Sequence, residues 1–215
     1  MTRVNVLFED AHIIVAEKPY GVLSEAHEKQ ANLPAMLRDQ CGCAVYPVHR
    51  LDKTTHGLMV VAKTRDSAAK LSAMLQENEV EKIYLAVTEG VPDEKGEMED
   101  LLYFDRGRGK SYVVKRERRG VKPAKLVYRR LDTRQMDDTA VSLVRVRLLT
   151  GRTHQIRVQF ASRKMPLVGD RRYGSHIPAE HIALCAAELS FPHPITGEDM
   201  RFRIVPDDGA FALFN

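Results

Sequence analysis

Cysteine is scarce in this chain of 215 residues, and Cys41, Cys43 and Cys185 are too few and too oddly spaced for a disulfide scaffold. The one-residue gap between Cys41 and Cys43 also differs from the two-residue gap of common zinc and redox motifs. Long apolar runs are missing too, since no stretch approaches the about 18 residues of a membrane span or the shorter centre of a signal peptide. We therefore expect a cytoplasmic protein with reduced thiols and no membrane partner.

Several easily recognised catalytic motifs are absent. Gly109-Lys110-Ser111 imitates the end of a phosphate-binding P-loop, but Phe104 stands where the motif requires its first glycine. None of the eight histidines lies in an HExxH or comparable ligand pair, so we predict no metal. The chain also has no GxSxG and no GxGxxG, which excludes the familiar hydrolases and dinucleotide enzymes of those motifs.

The length and the 44% of hydrophobic residues predict a single domain over residues 1–215, by the guide of about 150 residues per domain. No repeat or flexible linker divides the chain. Hydrophobic periodicity predicts two helices and seven strands, hence an α+β domain on a largely antiparallel mixed sheet, with a possible division at residues 92–110. The predicted strands are 4–8, 12–16, 58–62, 82–88, 141–149, 182–189 and 201–205, and the predicted helices are 65–77, capped by Thr64, and 153–163.

Charge is distributed unevenly along the chain. Residues 106–134 contain twelve Lys or Arg against two acids, whereas residues 77–105 contain ten acids against two Lys. A second basic segment, 145–172, has eight Lys or Arg against Asp170 alone. Such runs can be solvated surface or disordered tails, but the abundance of arginine favours a surface that contacts nucleic-acid phosphates.

The most promising chemistry lies in residues 49–57, a polar turn directly before the buried strand 58–62. Loops held by a rigid strand often carry catalytic groups. The alternative is an ordinary turn in which Asp52 and Thr55 cap the backbone.

The stretch HRLDKTTHGLMVVAK closely resembles the signature loop of RNA pseudouridine synthases that act on large ribosomal and transfer RNA, the RluA-like family with its HRLD motif. Similarity extends to VLFEDAHIIVAEKPYGVLS, EKIYLAVTEG, LLTGRTHQIRVQFASRKMPLVGDRRYG and ALCAAELSFPHPITGE, in family order. Two positions depart from the family pattern: His56 replaces a usual Ser, and Cys185 replaces a frequent polar residue such as His. The position of Asp52 close to the start implies a compact relative without the N-terminal S4 RNA-binding domain.

The resemblance implies a pseudouridine synthase fold with two half-domains flanking a central cleft. It also implies isomerisation of uridine: the N1 glycosidic bond breaks, the uracil turns, and a bond forms between C5 and C1′. No group or electron enters, so no cofactor is expected. The implied partner is a stem-loop of ribosomal or transfer RNA, bound by a monomer that needs no protein partner.

By the same resemblance, Asp52, Tyr84 and Arg157 are the catalytic candidates. Asp52 would attack the sugar, attack the base or abstract a sugar proton, and a guanidinium from Arg157 would favour its ionised form. Tyr84 would stack on the flipped base or shuttle a proton. The alternatives are a surface helical arginine for Arg157 and an ordinary sheet aromatic for Tyr84.

Substrate-binding roles follow for Arg50, Lys82, Leu184 and Arg152. Arg50 would fill the space left by the flipped base, Lys82 would contact phosphate, and Leu184 would form an apolar pocket wall or simply belong to the core. RNA backbone contacts are assigned to the basic segment, represented by Arg116, Arg118 and Arg119.

Two other functions are considered. A catalytically silent RNA-binding or ribosome-associated module would keep this fold, but the intact Asp52, Tyr84 and Arg157 argue against it. A carboxylate-dependent hydrolase of small nucleosides would have the nucleophile but would leave the basic segment unexplained.

Overall fold

A computed structural model of the protein describes residues 3–215, which form eleven strands, three α-helices and two 3₁₀ turns. The strands are β1 (Asn5–Glu9), β2 (Ile13–Lys18), β3 (Tyr46–Pro47), β4 (His56–Ala62), β5 (Glu81–Glu89), β6 (Lys95–Asp105), β7 (Lys110–Val114), β8 (Val121–Met136), β9 (Thr139–Leu148), β10 (Leu184–Pro192) and β11 (Asp199–Arg203). The helices are α1 (Leu33–Cys41), α2 (Arg65–Gln76) and α3 (Gln155–Ser162), and the 3₁₀ turns are Arg171–Tyr173 and Gly209–Phe214. No helix within residues 3–215 is long and apolar enough to cross a membrane.

The chain folds into two compact units. The first contains the residues up to Lys82 together with Cys185–Val205, and the second contains Ile83–Leu184 and Pro206–Asn215. The predicted division at residues 92–110 is therefore wrong, because most of that segment is the continuous strand β6. The low hydrophobicity of that segment comes from acidic side chains along β6 itself, such as Glu97, Glu99 and Asp100.

The sheet of the first unit has the order β1-β2-β4-β10, with β11 beside β10 and β3 beside β4. Its pairs are antiparallel except for the parallel pair of β4 with β10. Every residue of β4 is buried, as expected for an aliphatic strand covered on both faces. Helix α2 packs Leu71 into the same core, and the Thr64 side chain accepts the Ser67 N–H at 3.1 Å, which confirms the predicted cap.

Helix α1 was not predicted, although its ends carry recognisable signals. Asn32 caps it by accepting the Ala35 N–H at 2.9 Å, Pro34 stands in its first turn, and Gly42 ends it with a φ of 67°. Its nine residues bury Leu33 and Leu37, one turn apart.

The sheet of the second unit has the order β5-β9-β8-β6-β7, and all its pairs are antiparallel. The basic segment is therefore not a disordered tail, since β7 and most of β8 come from it. Strand β8 alternates buried Ala124 and Leu126 with the more exposed Pro123 and Lys125. The strand pairings within each unit, antiparallel except for β4 with β10, confirm an α+β fold on a mixed, largely antiparallel sheet.

Helix α3 is buried on all sides, whereas the sequence predicts one buried face. All six residues from Gln155 to Phe160 are buried. Val158 packs with Leu102, Ala124 and Tyr173. Arg157 is only 4% exposed, which excludes the alternative of a surface helical arginine.

Candidate active site

The signature loop is held by hydrogen bonds on both sides of Asp52. Ser24 Oγ donates to the Leu51 carbonyl and accepts the Leu51 N–H, each at 2.9 Å. The Lys53 carbonyl accepts the Gly21 N–H at 2.9 Å, and the Asp52 carbonyl accepts the Thr55 N–H at 3.0 Å. Because these bonds fix the backbone, the half-buried Asp52 carboxylate is presented from a rigid turn.

His49 anchors the start of the loop to β4. Its Nε2 accepts the Val60 N–H at 3.1 Å, so that nitrogen carries no proton. Burial, together with the positive charge of Lys82, lowers the pKa of His49 to about 3. The first residue of the HRLD motif is therefore a neutral structural group, not an acid or a base.

Lys18, at the end of β2, is a buried cation that sequence analysis missed. It has no exposed surface, and its Nζ donates to the carbonyls of Pro19 at 2.9 Å and Val22 at 2.8 Å. Burial lowers its pKa to about 8, and the Asp52 carboxylate acts in the opposite direction. The negative charge of Asp52 therefore stabilises the positive charge of Lys18, and both residues belong to the first unit. The signal in the sequence is a lysine that ends a mostly apolar strand.

The two departures from the family pattern are neighbours in the fold. In the parallel pair of β4 with β10, Cys185 stands opposite His56, and Ala186 stands opposite Gly57. The His56 ring lies against the Tyr20 ring with 4.2 Å between centroids. A Cβ on Gly57, whose φ is 116°, would lie 2.5 Å from the Ala186 carbonyl oxygen, so only glycine fits there.

In the second unit, Arg157 is fixed by an acidic partner and an aromatic ring. Its Nε donates to Asp170 Oδ2 at 2.6 Å and its Nη2 donates to Oδ1 at 3.0 Å. The guanidinium carbon lies 5.0 Å from the centre of the Tyr173 ring. Asp170 and Tyr173 come from the GDRRYG stretch, which we recognised as a motif but to which we assigned no role.

The segment that carries Asp170 is itself anchored by the buried carboxylate of Glu89. Glu89 Oε1 accepts the backbone N–H groups of His176 at 2.9 Å and Ile177 at 3.0 Å, and it also accepts the Ser175 hydroxyl. Gly169 N–H in turn donates to Ser175 Oγ at 3.0 Å. Glu89 therefore ties β5 to the loop on both sides of Asp170.

Tyr84 lies on β5 opposite Val146 of β9 and is 7% exposed. Lys82, two residues earlier, is half-buried, and burial lowers its pKa. Leu184, at the start of β10, is 4% exposed. Arg152 is half-buried, and its Nε donates to the Pro123 carbonyl at 2.9 Å.

The Arg50 side chain is exposed and forms a weak ion pair with Glu25. Its Nη1 lies 3.3 Å from a Glu25 carboxylate oxygen, and both side chains are 63% exposed. An exposed pair of this kind contributes about 0–1 kcal/mol, so it breaks readily. Arg50 also lines a cavity of about 90 Å³ beside Ser24 and Leu51.

Arg116, Arg118 and Arg119 are exposed in the turn that joins β7 to β8. The Arg118 guanidinium carbon lies 4.5 Å from the centre of the Tyr103 ring, which holds the base of that turn.

The candidate residues are divided between the two compact units. Asp52, Arg50 and Lys82 belong to the first unit, and Tyr84, Arg157, Leu184 and Arg152 belong to the second. The pairing of Arg157 with Asp52 stays a prediction. Among residues 3–215, no group of three or more His, Cys, Asp or Glu side chains could hold a metal ion.

Comparison with known proteins identifies the class of this molecule. The RNA pseudouridylate synthase family matches residues 12–162, and the chain belongs to that family. The fold agrees: a human protein called RNA Pseudouridylate Synthase Domain Containing 1 superposes with a TM-score of 0.80 at 23% identity, over 95% of this chain and 84% of the human one.

Two bacterial relatives place the chain in the RluA-like branch. The ribosomal large subunit pseudouridine synthase D of Vibrio cholerae is 36% identical over 95% of this chain and 68% of its own length. The tRNA pseudouridine synthase C of Vibrio parahaemolyticus is 29% identical over 99% of this chain and 94% of its own length. The protein is thus a pseudouridine synthase, an isomerase that converts uridine in RNA to pseudouridine, as the resemblance implies.

Proposed function

We propose that this protein isomerises specific uridines in structured ribosomal or transfer RNA, with Asp52 as the group that acts on the nucleotide. The observation that carries the proposal is the rigid signature loop, which presents Asp52 in the field of the buried cation Lys18. A carboxylate acts as nucleophile or base only when ionised, and a nearby cation favours that form.

The reaction begins when the target uridine leaves its stack, which costs a few kcal/mol and is cheapest in a loop. Asp52 then attacks the sugar, attacks the base or removes a sugar proton. In each route the N1–C1′ bond breaks, the uracil turns, C5 bonds to C1′, the C5 hydrogen leaves as a proton, and N1 gains a proton, so the product is an isomer of the substrate. No other reactant is consumed, so the chemistry requires neither metal nor cofactor.

Arg157 is the proposed charged partner of Asp52 during the reaction. Its support is the geometry of its own unit, in which Asp170 and the Tyr173 ring fix the guanidinium. A fixed donor assists a developing charge without reorganising, which is where most electrostatic catalysis originates.

The uracil is proposed to stack on Tyr84 against an apolar wall that includes Leu184, while Lys82 contacts phosphate. The burial of Tyr84 and Leu184 supports a dry pocket rather than an RNA-exposed surface. Burial also lowers the pKa of Lys82, and a bound phosphate would stabilise its charged form.

Arg50 is proposed to leave its weak pair with Glu25 and fill the gap in the RNA stack. Arg152 would contact the substrate strand, and Arg116, Arg118 and Arg119 would contact its backbone. We further propose that the protein acts as a cytoplasmic monomer.

Tritium release tests the proposal. Unmodified transcripts of bacterial transfer RNAs and of large-subunit ribosomal RNA would carry uridine tritiated at C5, since that hydrogen is lost when C5 bonds to C1′. We expect the protein to release tritium from a subset of these RNAs. Pseudouridine-specific chemical labelling of RNA from cells that lack the gene would map the same sites. Absence of release from both RNA classes would contradict the proposal.

A further inference from the structure

Two cationic turns of the second unit are cross-linked by hydrogen bonds. One is residues 106–109, between β6 and β7, and the other is the 3₁₀ turn Arg171–Tyr173. Arg172 Nη1 donates to the carbonyls of Arg108 at 3.0 Å and Gly109 at 2.7 Å. Lys110 Nζ donates to the Arg172 carbonyl at 2.6 Å. Segments more than 60 residues apart in sequence therefore form one surface.

This surface concentrates positive charge. Its members, here called the turn cluster, are Arg106, Arg108, Lys110, Arg171 and Arg172. Four of the five side chains are exposed and Lys110 is half-buried. The nearby acid, Asp105, lies 3.9 Å from the Arg108 guanidinium.

Like charges that are held together repel one another, and the bonds within the turn cluster run to neutral carbonyls, which leave the net charge unchanged. A bound anion would relieve this repulsion. Guanidinium groups form paired, charge-assisted hydrogen bonds with phosphate oxygens, so phosphate is the anion that suits four arginines.

The turn cluster adjoins Arg157 through Tyr173, the residue after Arg172. The centre of the Tyr173 ring lies 5.0 Å from Lys110 Nζ and 5.0 Å from the Arg157 guanidinium carbon. Its hydroxyl accepts the Ser111 N–H at 2.8 Å, which fixes the ring against β7. An anion on the turn cluster is thus one aromatic ring away from the proposed catalytic arginine.

We propose that the turn cluster binds backbone phosphates of the RNA strand that carries the target uridine, and so holds that strand beside Arg157. The inference rests on the proposed function in that its ligand is the substrate RNA. It defines a site separate from Arg116, Arg118 and Arg119, which lie at the other end of β7.

The test compares two triple variants with equal loss of charge. Arg106→Gln, Arg108→Gln and Arg171→Gln remove exposed members of the turn cluster and leave the Arg172 cross-link in place. Arg65→Gln, Arg201→Gln and Arg203→Gln remove three exposed arginines of the first unit as the control. Affinity for a fluorescent 20-nucleotide oligouridine is measured across a salt series, and KM and kcat are measured by tritium release from the responsive transcript.

We expect the turn-cluster variant to lose about 2 from the log-log salt slope, at roughly 0.7 for each single-strand phosphate that is no longer bound. Its KM should rise about tenfold or more while kcat stays near the wild-type value, and the control should change neither. An unchanged slope in an active variant, or an equal loss of slope in the control, would overturn the inference. Loss of slope in the turn-cluster variant but not in the control, together with a wild type that releases no tritium, would overturn the proposed function and leave the turn cluster supported.

Discussion

Arg157 and Asp170 form a buried bidentate ion pair in which Nε and Nη2 of the guanidinium donate to the two carboxylate oxygens, at 2.6 and 3.0 Å. The Arg157 side chain is 5% exposed and that of Asp170 is 1% exposed. Two parallel bonds fix the plane of the guanidinium as well as its position. Asp170 therefore fixes the orientation in which the Arg157 guanidinium can contact a third group.

Asp170→Asn should destabilise the protein by about 3–5 kcal/mol, because it removes one charge of a buried ion pair. Urea unfolding followed by circular dichroism would measure this. The double variant Arg157→Met with Asp170→Leu should recover most of the lost stability but none of the activity, since it removes both charges and the proposed catalytic group together. Additive losses in the double variant would show that the two side chains contribute independently.

His49 should make stability depend on pH in the acidic range. Its pKa is lowered from 6.5 to about 3 in the folded protein, so the unfolded chain binds the extra proton in between. The stabilisation is complete above pH 6.5 and is lost as the pH falls towards about 3, by at most tenfold in the unfolding constant per pH unit. His49→Gln keeps an acceptor for Val60 but does not titrate. Urea midpoints from pH 7 to 4 should therefore fall less steeply in the variant, and parallel curves would contradict the assignment of His49 as neutral.

Lys18 should limit activity at alkaline pH. Its pKa lies at about 8, so its positive charge disappears as the pH rises through that value. If this cation supports Asp52, the single-turnover rate of the wild type falls above pH 8. Lys18→Met should be slower at pH 7, where the wild-type cation is present, and should lose the decline above pH 8. An identical alkaline decline in the variant would assign that limb to another group.

Replacing Arg116, Arg118 and Arg119 with Gln should lower the affinity for good and poor RNA substrates alike, because contacts with phosphates do not distinguish one base from another. The salt slope should fall by about 0.7 for each phosphate that the variant no longer binds, with the rate at saturation nearly unchanged. Filter binding across a salt series, with single-turnover rates at saturating protein, measures both. A normal slope would mean that this turn is only a solvated charge run.

Local patterns predicted much of this fold. The cap at Thr64, the aliphatic run of β4 and the alternation of β9, with Val144 and Val146 buried, depend on neighbours in sequence and were confirmed. Helix α1 was missed although Asn32 and Gly42 mark its ends, and β7 and β8 were missed because dense basic residues obscured their alternation.

The candidate site was harder to predict from the sequence, since its contacts join residues that are far apart in the chain. The signature loop and Arg157 were found by resemblance to a family. The pairing of Arg157 with Asp170, the burial of Lys18 and the cross-link between Arg172 and Gly109 have no periodic signal. Such contacts depend on loops brought together by tertiary structure, and only coordinates reveal them.

The proposed role of Asp52 is tested most directly by the single-turnover rate of Asp52→Asn on a responsive RNA. The change is nearly isosteric, and the bond from the Thr55 N–H runs to the backbone carbonyl of residue 52, so the fold and RNA affinity should be retained. We predict that the rate falls by more than about 10²-fold, since even general acid–base participation alone contributes about that much. A rate within tenfold of the wild type, at equal RNA affinity, would contradict the assignment of Asp52 as the reacting group.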